Sequence, residues 1–204
     1  KPEILDTLPP EEARASLADL VRINRNWGGH STLRKLLDDA IPQGEAFTFL
    51  DVGAASGDMG RCVEEARPRA TVTCLDYIAS HLERSSGRRV AADAFALPFA
   101  DGSYDYVFNS LFVHHFSDDQ VVALLRESGR VARKQVLVID LWRHPIPYYF
   151  MSVTQPLFGW QPVTVNDGQF SVEAAFHASE LRGLARRAGL TAARTRASVP
   201  AVRI

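Results

Sequence analysis

Leu50-Asp-Val-Gly-Ala-Ala-Ser-Gly-Asp-Met-Gly60 is the stretch whose reading decides the fold. The run before it, Phe47-Thr-Phe-Leu-Asp-Val52, is apolar without a helical period. It reads as a short strand buried on both faces. Gly53 and Gly57 permit a tight turn, and residues 58–67 read as the helix that follows. A glycine-rich turn of this kind lets backbone N–H groups approach a ligand and aims a helix N-terminus at it. Asp51 lies two residues before the first glycine.

Working outward, the same alternation continues. Residues 71–76, 89–93, 104–109 and 135–141 read as strands, with helical stretches at 80–85 and 117–130 between them. Ser117 and Gln120 form a capping box for the second of these. A last helix spans 179–188 and ends at Gly189, in the position that glycine favours. Residues 190–196 are a candidate sixth strand, and 201–204 would begin a seventh. Upstream, Pro9-Pro10-Glu11-Glu12 starts a helix that Gly28-Gly29 stops. Ser31 caps a second helix carrying Leu33, Leu36, Leu37 and Ala40. Strands alternating with helices specify a doubly wound, mostly parallel α/β sheet with right-handed crossovers and helices on both faces. Ligands of such sheets bind beyond the carboxyl ends of the strands.

Polar groups stand at those ends. The first strand carries Asp51, the second ends in Asp76, the third in Asp93 and the fourth in Asn109-Ser110. Asp76 follows Gly57 by 19 residues, a spacing suited to accepting from ribose hydroxyls. Taken singly, each acid could be a helix cap; four successive strands delivering polar groups to one edge are a stronger pattern. Other nucleotide folds fit less well. A P-loop needs Gly-Lys-Ser/Thr after the turn, and no lysine occurs between residues 36 and 133. The dinucleotide spacing G-x-G-x-x-G fails at Ala55 and Asp58. No tyrosine is followed by lysine four residues on.

Composition removes further classes. The 204 residues suit one domain, with 46% hydrophobic and 23% charged residues. A net charge of -1 argues against nucleic-acid binding. No apolar run is long enough to span a bilayer. Cys62 and Cys74 cannot alone supply a zinc site or a disulfide framework, so no metal is expected and a reducing cytoplasm is the default. Arginine outnumbers lysine heavily, which points to a bacterial genome. The chain begins Lys1-Pro2-Glu3 without methionine, which implies a trimmed chain or a fragment.

These residues resemble class I S-adenosylmethionine-dependent methyltransferases over about 47–196. Asp51-x-Gly53-x-x-x-Gly57 is similar to their first motif, with Ala55 where the middle glycine usually stands. Leu75-Asp76-Tyr77 is similar to the ribose-binding motif. Ala92-Asp93-Ala94 and 101–108 are similar to the third and fourth motifs of small-molecule methyltransferases. Leu111-Phe-Val-His-His-Phe116 and 179–190 resemble the quinone-biosynthesis branch, and Asn24-x-x-x-Gly-Gly-His30 resembles a segment of enzymes found near polyketide synthases.

The resemblance implies a seven-stranded Rossmann-like sheet and S-adenosyl-L-methionine as cofactor. Gly53, Ala54, Ala55 and Gly57 would pack against it, and Asp51 would bind its amino group. Asp76 would hold the ribose hydroxyls, Tyr77 or Ile78 would cover the adenine, Asp93 and Ala94 would bond its edge, and Asn109 would line the methionine end. His114 and His115 are the candidate general bases for O- or C-methylation. His30 is a weaker candidate, and His81, His144 and His177 read as surface or loop residues. Residues 1–45 would form a helical cap on the core at 46–204. The aromatic segment 142–175 would cover a small, apolar or aromatic acceptor, or else pack onto the sheet or into a homodimer contact. With 204 residues, no separate targeting domain is expected. The alternatives are a non-catalytic S-adenosylmethionine-binding module and an NAD(P)-dependent oxidoreductase. An RNA or protein substrate is disfavoured by the charge and by Asn109-Ser-Leu-Phe112, where amino-group methylases carry Asn/Asp-Pro-Pro-Tyr.

Overall fold

A computed structural model describes residues 10–196 and 203. Two helices, α1 (Pro10–Asn26) and α2 (Gly29–Ala40), precede the sheet. The strands are β1 (Phe47–Val52), β2 (Ala70–Asp76), β3 (Arg88–Ala91), β4 (Tyr104–Ser110) and β5 (Ala132–Ile139). They lie in the order β3-β2-β1-β4-β5, with every pair parallel. Helix α3 (Asp58–Ala66) links β1 to β2, a 3-10 turn (Ala79–Arg84) lies before β3, and α4 (Asp118–Val131) links β4 to β5. Beyond β5 come α5 (Pro145–Phe158), α6 (Pro162–Ala174) and α7 (Ala178–Arg187).

The strand sequences explain the layers. Alternate residues of β1 enter opposite cores, because both faces are covered. Phe47 and Phe49 join Leu33, Leu37, Val63 and Phe108 beneath α2 and α3. Leu50 and Val52 join Val107, Val121, Leu124 and Leu184 beneath α4 and α7. Chain order runs outward from β1 to β3 and then returns to β4. The connections after β1 and β4 therefore diverge, and the crevice between them is the ligand position of this topology.

The α/β class holds, but the strand count does not. Five strands, not seven, make up the sheet among the described residues. Residues 190–196 form no strand. They leave α7 by hydrogen-bonded turns, and Arg196 reaches Asp39 at 2.7 Å. Their apolar content, Leu190, Ala192 and Ala193, is too small and too rich in alanine to cover a sheet face. The proposed seventh strand lies outside the described residues except for Arg203, which makes an isolated antiparallel bridge to Leu141. The Ser117–Gln120 capping box is present on α4, and Gly189 follows α7 with φ 93°. Ser31 does not cap α2, which already begins at Gly29.

Residues 142–175 are mainly helical. Pro145 and Pro162 stand in the first turns of α5 and α6, where a missing N–H costs nothing. This pair is fastened to α1. Buried Asp19 accepts from Gln161 N at 2.8 Å and from Thr164 Oγ1 at 3.3 Å. Arg22 donates to the Phe158 carbonyl at 3.0 Å and lies 4.7 Å from the Trp160 ring centre. Trp27 packs edge-on against Phe150 and Phe158.

Gly57 closes the first turn with φ 66°, and a Cβ there would lie 2.3 Å from Ser85 Oγ. Gly57→Val combines a forbidden backbone with a clash and is expected to cost about 3 kcal/mol. Thermal unfolding should show the midpoint dropping by roughly 6–12 °C; an unchanged midpoint would refute the steric argument.

Candidate functional site

The crevice opens into a cavity of about 720 Å³ over the carboxyl ends of β1, β2 and β4. Its floor is the first turn. Gly53 N and Ala54 N both donate to the Leu75 carbonyl at 2.9 Å, which ties the turn to β2. Gly53, Ala54, Ala55, Asp51, Asp76, Tyr77, Asp93 and Ala94 all line the cavity, as do His114 and His115. The sequence reading thus brings ten of its twelve site residues together. Gly57 stands behind the turn as the residue preceding α3. Asn109 does not reach the cavity: it is fully buried within β4, and Ser110 and Leu111 line the wall instead. Side chains alternate along a strand, so placing the site one residue early put it on the wrong face.

Two described non-glycine residues have left-handed backbone, Ala55 (φ 45°) and Leu111 (φ 53°), and both line the cavity. Such geometry costs energy and persists where neighbours impose it. Ala55 N donates to Asp76 Oδ2 at 2.9 Å, while Leu111 N donates to the Ile139 carbonyl at 2.8 Å. Asp76 is held on its other side by Ile78 N at 2.9 Å, and His81 Nδ1 lies 3.5 Å from its Oδ1. His81, expected on the surface, is therefore a cavity residue, placed by the 3-10 turn. Asp93 sits two residues beyond β3 and accepts from Phe95 N at 2.8 Å; Tyr77 is 79% exposed at the rim.

Asp51 is 1% exposed, and its Oδ2 has no hydrogen-bond partner among the described residues. Burial pushes its pKa up to about 8, helped by the charges of Asp58 and Asp76 and opposed by the Gly60 N–H. An orphaned carboxylate oxygen beside a glycine turn suits a ligand that brings a cation. A nucleoside end would meet Asp76 and Asp93, so the donor set fits an adenosyl amino acid.

The other wall holds a buried pair that the sequence reading did not single out. His114 Nδ1 lies 2.5 Å from Asp140 Oδ1, and Asp140 Oδ2 accepts from His114 N at 3.2 Å. Leu141 N donates to the same carboxylate at 2.6 Å. Burial alone would raise the Asp140 pKa. The charge and hydrogen bond of His114, with the Leu141 N–H, outweigh it, and the net direction is down. Asp140 follows β5 directly, so the strand-end rule that selected Asp51, Asp76 and Asp93 also reaches it. His115 differs: burial first, then neighbouring His114, pushes its pKa down to about 3. His30 is not in a free turn but opens α2, with Nε2 3.1 Å from Asp58 Oδ2. His144 and His177 precede α5 and α7 as caps.

The aromatics of 142–175 do not line the cavity. Trp160, Phe158 and Phe150 make the joint with α1 instead, and Tyr149 and Phe170 are exposed. The cavity receives Met151, Thr164, Asp167, Gly168 and Ser171 from α5 and α6, opposite Leu20 and Ile23 of α1. Its phenylalanine rings are those of Phe95, Phe112 and Phe116, which pack edge-to-face.

Residues 50–139 match the model of a family described as a methyltransferase domain. A demethylmenaquinone methyltransferase of Thermotoga maritima is 29% identical over 128 residues, 60% of this chain and 55% of that protein. A malonyl-[acyl-carrier protein] O-methyltransferase of Coxiella burnetii is 34% identical over 90 residues, 44% of this chain and 31% of that protein. The chain thus spans between about a third and just over half of these relatives. The solved structure of a SAM-dependent methyltransferase from Aquifex aeolicus shares the fold, with a TM-score of 0.60, 16% identity and coverage of 89% of this chain and 88% of that one. The methyltransferase match runs through the very strands that carry Asp51, Asp76 and the His114 loop, so this stretch is similar to S-adenosylmethionine-dependent methyltransferase domains, and the donor set of the cavity fits that cofactor.

Proposed function

We propose that this chain methylates a small, apolar or aromatic acceptor at oxygen or carbon. One observation carries the reading: a single cavity has carboxylates and the glycine turn on one side, and the Asp140-backed His114 among apolar side chains on the other. Asp76, already oriented by Ala55 and Ile78, accepts from the ribose hydroxyls. Asp93 and the Ala94 N–H bond the adenine edge, Tyr77 and Ile78 cover it, and Asp51 faces the ammonium group. Ser110 and Leu111 take the place expected of Asn109. Gly57 holds the turn.

The bound cofactor supplies an electrophilic methyl group on a sulfonium. The protein aligns the acceptor and removes its proton. Ionised Asp140 accepts the Nδ1 proton of His114 and leaves Nε2 as the ring nitrogen that takes the acceptor's proton. His115, held neutral with a very low pKa, is too weak a base for this step and serves as wall. Asp51, Asp76 and Asp93 would hold the cofactor, and its neutral thioether would be the by-product of methylating the acceptor's oxygen or carbon. Residues 1–45 and 142–175 form the acceptor cover, in keeping with the Asp19 and Arg22 contacts that close α6 onto α1. The two relatives are named for a quinone and an acyl-carrier substrate. An apolar wall of Leu20, Ile23, Phe112 and Met151 favours the former class. No described helix is long and apolar enough to cross a membrane, and we place the chain in the cytoplasm.

The test supplies methyl-tritiated S-adenosylmethionine with a panel of phenols and hydroquinones, and in parallel with RNA and peptides. Label extracted into organic solvent only with the aromatic panel supports the reading. Label in polymer, or none with any acceptor, refutes it.

Asp51 gives a pH prediction. Its folded pKa of about 8 lies above the unfolded carboxylate value, so the stability it confers is complete below about pH 4. That stability is lost as pH rises through 8. Asp51→Asn should therefore raise the ligand-free melting temperature at pH 8 by a few degrees and leave it unchanged near pH 4. An ammonium placed beside Asp51 favours its ionised form. Calorimetry at pH 7 in buffers of different ionisation enthalpy should show proton release on S-adenosylhomocysteine binding, absent in Asp51→Asn. Equal proton release in both proteins would remove Asp51 from the ammonium site.

A further inference from the structure

A buried guanidinium costs several kcal/mol unless its donors find acceptors. Arg203 is 2% exposed, lies in the cavity wall and is fixed by its bridge to Leu141. Nη2 donates to Asn24 Oδ1 at 3.0 Å. Nε and Nη1 are buried with no hydrogen-bond partner among the described residues. Burial lowers its pKa to about 10, against the opposing charges of Asp140 and Asp58, so the side chain remains a cation at neutral pH. Two buried N–H groups and a full charge thus stand in the cavity wall without an acceptor among the described residues.

The neighbours indicate which anion belongs there. Asn24 Nδ2 donates to Asp58 Oδ2 at 3.1 Å, so one carboxamide separates the Arg203 guanidinium from a carboxylate. Asp58 opens α3 directly after the glycine turn, and its charge is felt by Asp51. A cationic group and an acidic pair therefore share the wall beside that turn. An α-amino acid carries a carboxylate and an ammonium on one carbon, which is the complement of this arrangement. The nucleoside-directed acids Asp76 and Asp93 line the same cavity farther along the sheet edge.

We propose that Arg203 binds the carboxylate at the amino-acid end of the cofactor through Nε and Nη1, with the ammonium group turned toward Asp51. This deepens the function proposed above and rests on it. The edge of a guanidinium matches the two oxygens of a carboxylate, so the pair is bidentate and strongly directional. Asn24 is the positioning residue: it fixes Nη2 and leaves the other edge for the ligand. Binding would also tie α1 to the end of β5 through one side chain, because Arg203 touches Asn24 and bridges Leu141.

Calorimetric titration with S-adenosylhomocysteine and with 5′-methylthioadenosine separates the two ends of the ligand, since the second lacks the amino acid. Arg203→Gln should weaken S-adenosylhomocysteine by about 30-fold or more and leave 5′-methylthioadenosine within about twofold. The wild-type chain supplies an arm that needs no variant: S-adenosylhomocysteine with its carboxylate converted to a primary amide should show a comparable loss. Unchanged affinity in either arm overturns the proposal and assigns Arg203 to something other than the cofactor, such as an acidic acceptor. Equal weakening of both nucleosides by Arg203→Gln also overturns it, because a merely structural arginine would affect both. If the wild-type chain binds neither nucleoside, the methyltransferase reading itself falls.

Discussion

His114→Gln is expected to lower methyl transfer by about 10²–10⁴-fold while S-adenosylhomocysteine affinity stays within threefold. The asymmetry follows from the geometry. His114 stands on the wall beyond β4, away from Asp76 and Asp93, and Asp140 fixes its tautomer at 2.5 Å. Removing the base removes an interaction with the acceptor proton but none with the nucleoside. Asp140→Asn should give an intermediate loss, because an amide can present its N–H to Nδ1 and favour the wrong tautomer. In both variants the acid limb of the pH–rate profile should flatten. His115→Gln is the internal comparison and should keep turnover within a few-fold. Full turnover by His114→Gln across the pH range would end the base assignment.

Asp76→Ala is expected to cost S-adenosylhomocysteine about 100-fold or more in affinity. Hydrogen bonds to a charged acceptor are worth about 1.5–3 kcal/mol each, and a ribose offers two hydroxyls. The variant also releases Ala55 N and Ile78 N, each now donating at 2.9 Å, so the first turn loses a brace. Asp76→Asn separates these effects: it keeps one oxygen for the backbone and removes the charge. Its melting temperature should stay nearer wild type than that of Asp76→Ala while affinity still falls. Alanine-variant affinity within threefold of wild type would place the ribose elsewhere.

The sheet was legible because its strands are buried on both faces. Runs such as Phe47–Val52 have no helical period and little charge, and β1 was bounded correctly from them. β5 begins at Ala132, three residues before its apolar run, because Arg133 and Lys134 pair in a half-exposed part of the ladder. The helices α5 and α6 were hidden by Pro145, Pro147, Pro156 and Pro162, which read as breakers although two of them start helices. Most of the carboxylate edge of the cavity follows from one rule about strand ends. Asp140 obeys that rule, but the apolar run that continues to Leu141 hides it inside the expected strand. His81 and Arg203 reach the cavity through tertiary placement, by a 3-10 turn and an isolated bridge, which leave no local pattern.

The Asp19 latch has a consequence for how the chain is made. Gln161 follows its acceptor by 142 residues. At a synthesis rate of about 5–20 residues per second, roughly 7–28 s separate the appearance of the two partners. During that interval Asp19 of α1 has neither Gln161 nor Thr164 to hold. The strands whose ends carry the cavity's carboxylates can pair first, since β1, β2 and β4 all lie before residue 111. Birth order therefore favours a chain whose sheet edge is assembled before its cavity is roofed. The side of α1 that faces the cavity, with Leu20 and Ile23, stays open to water while that roof is still on the ribosome.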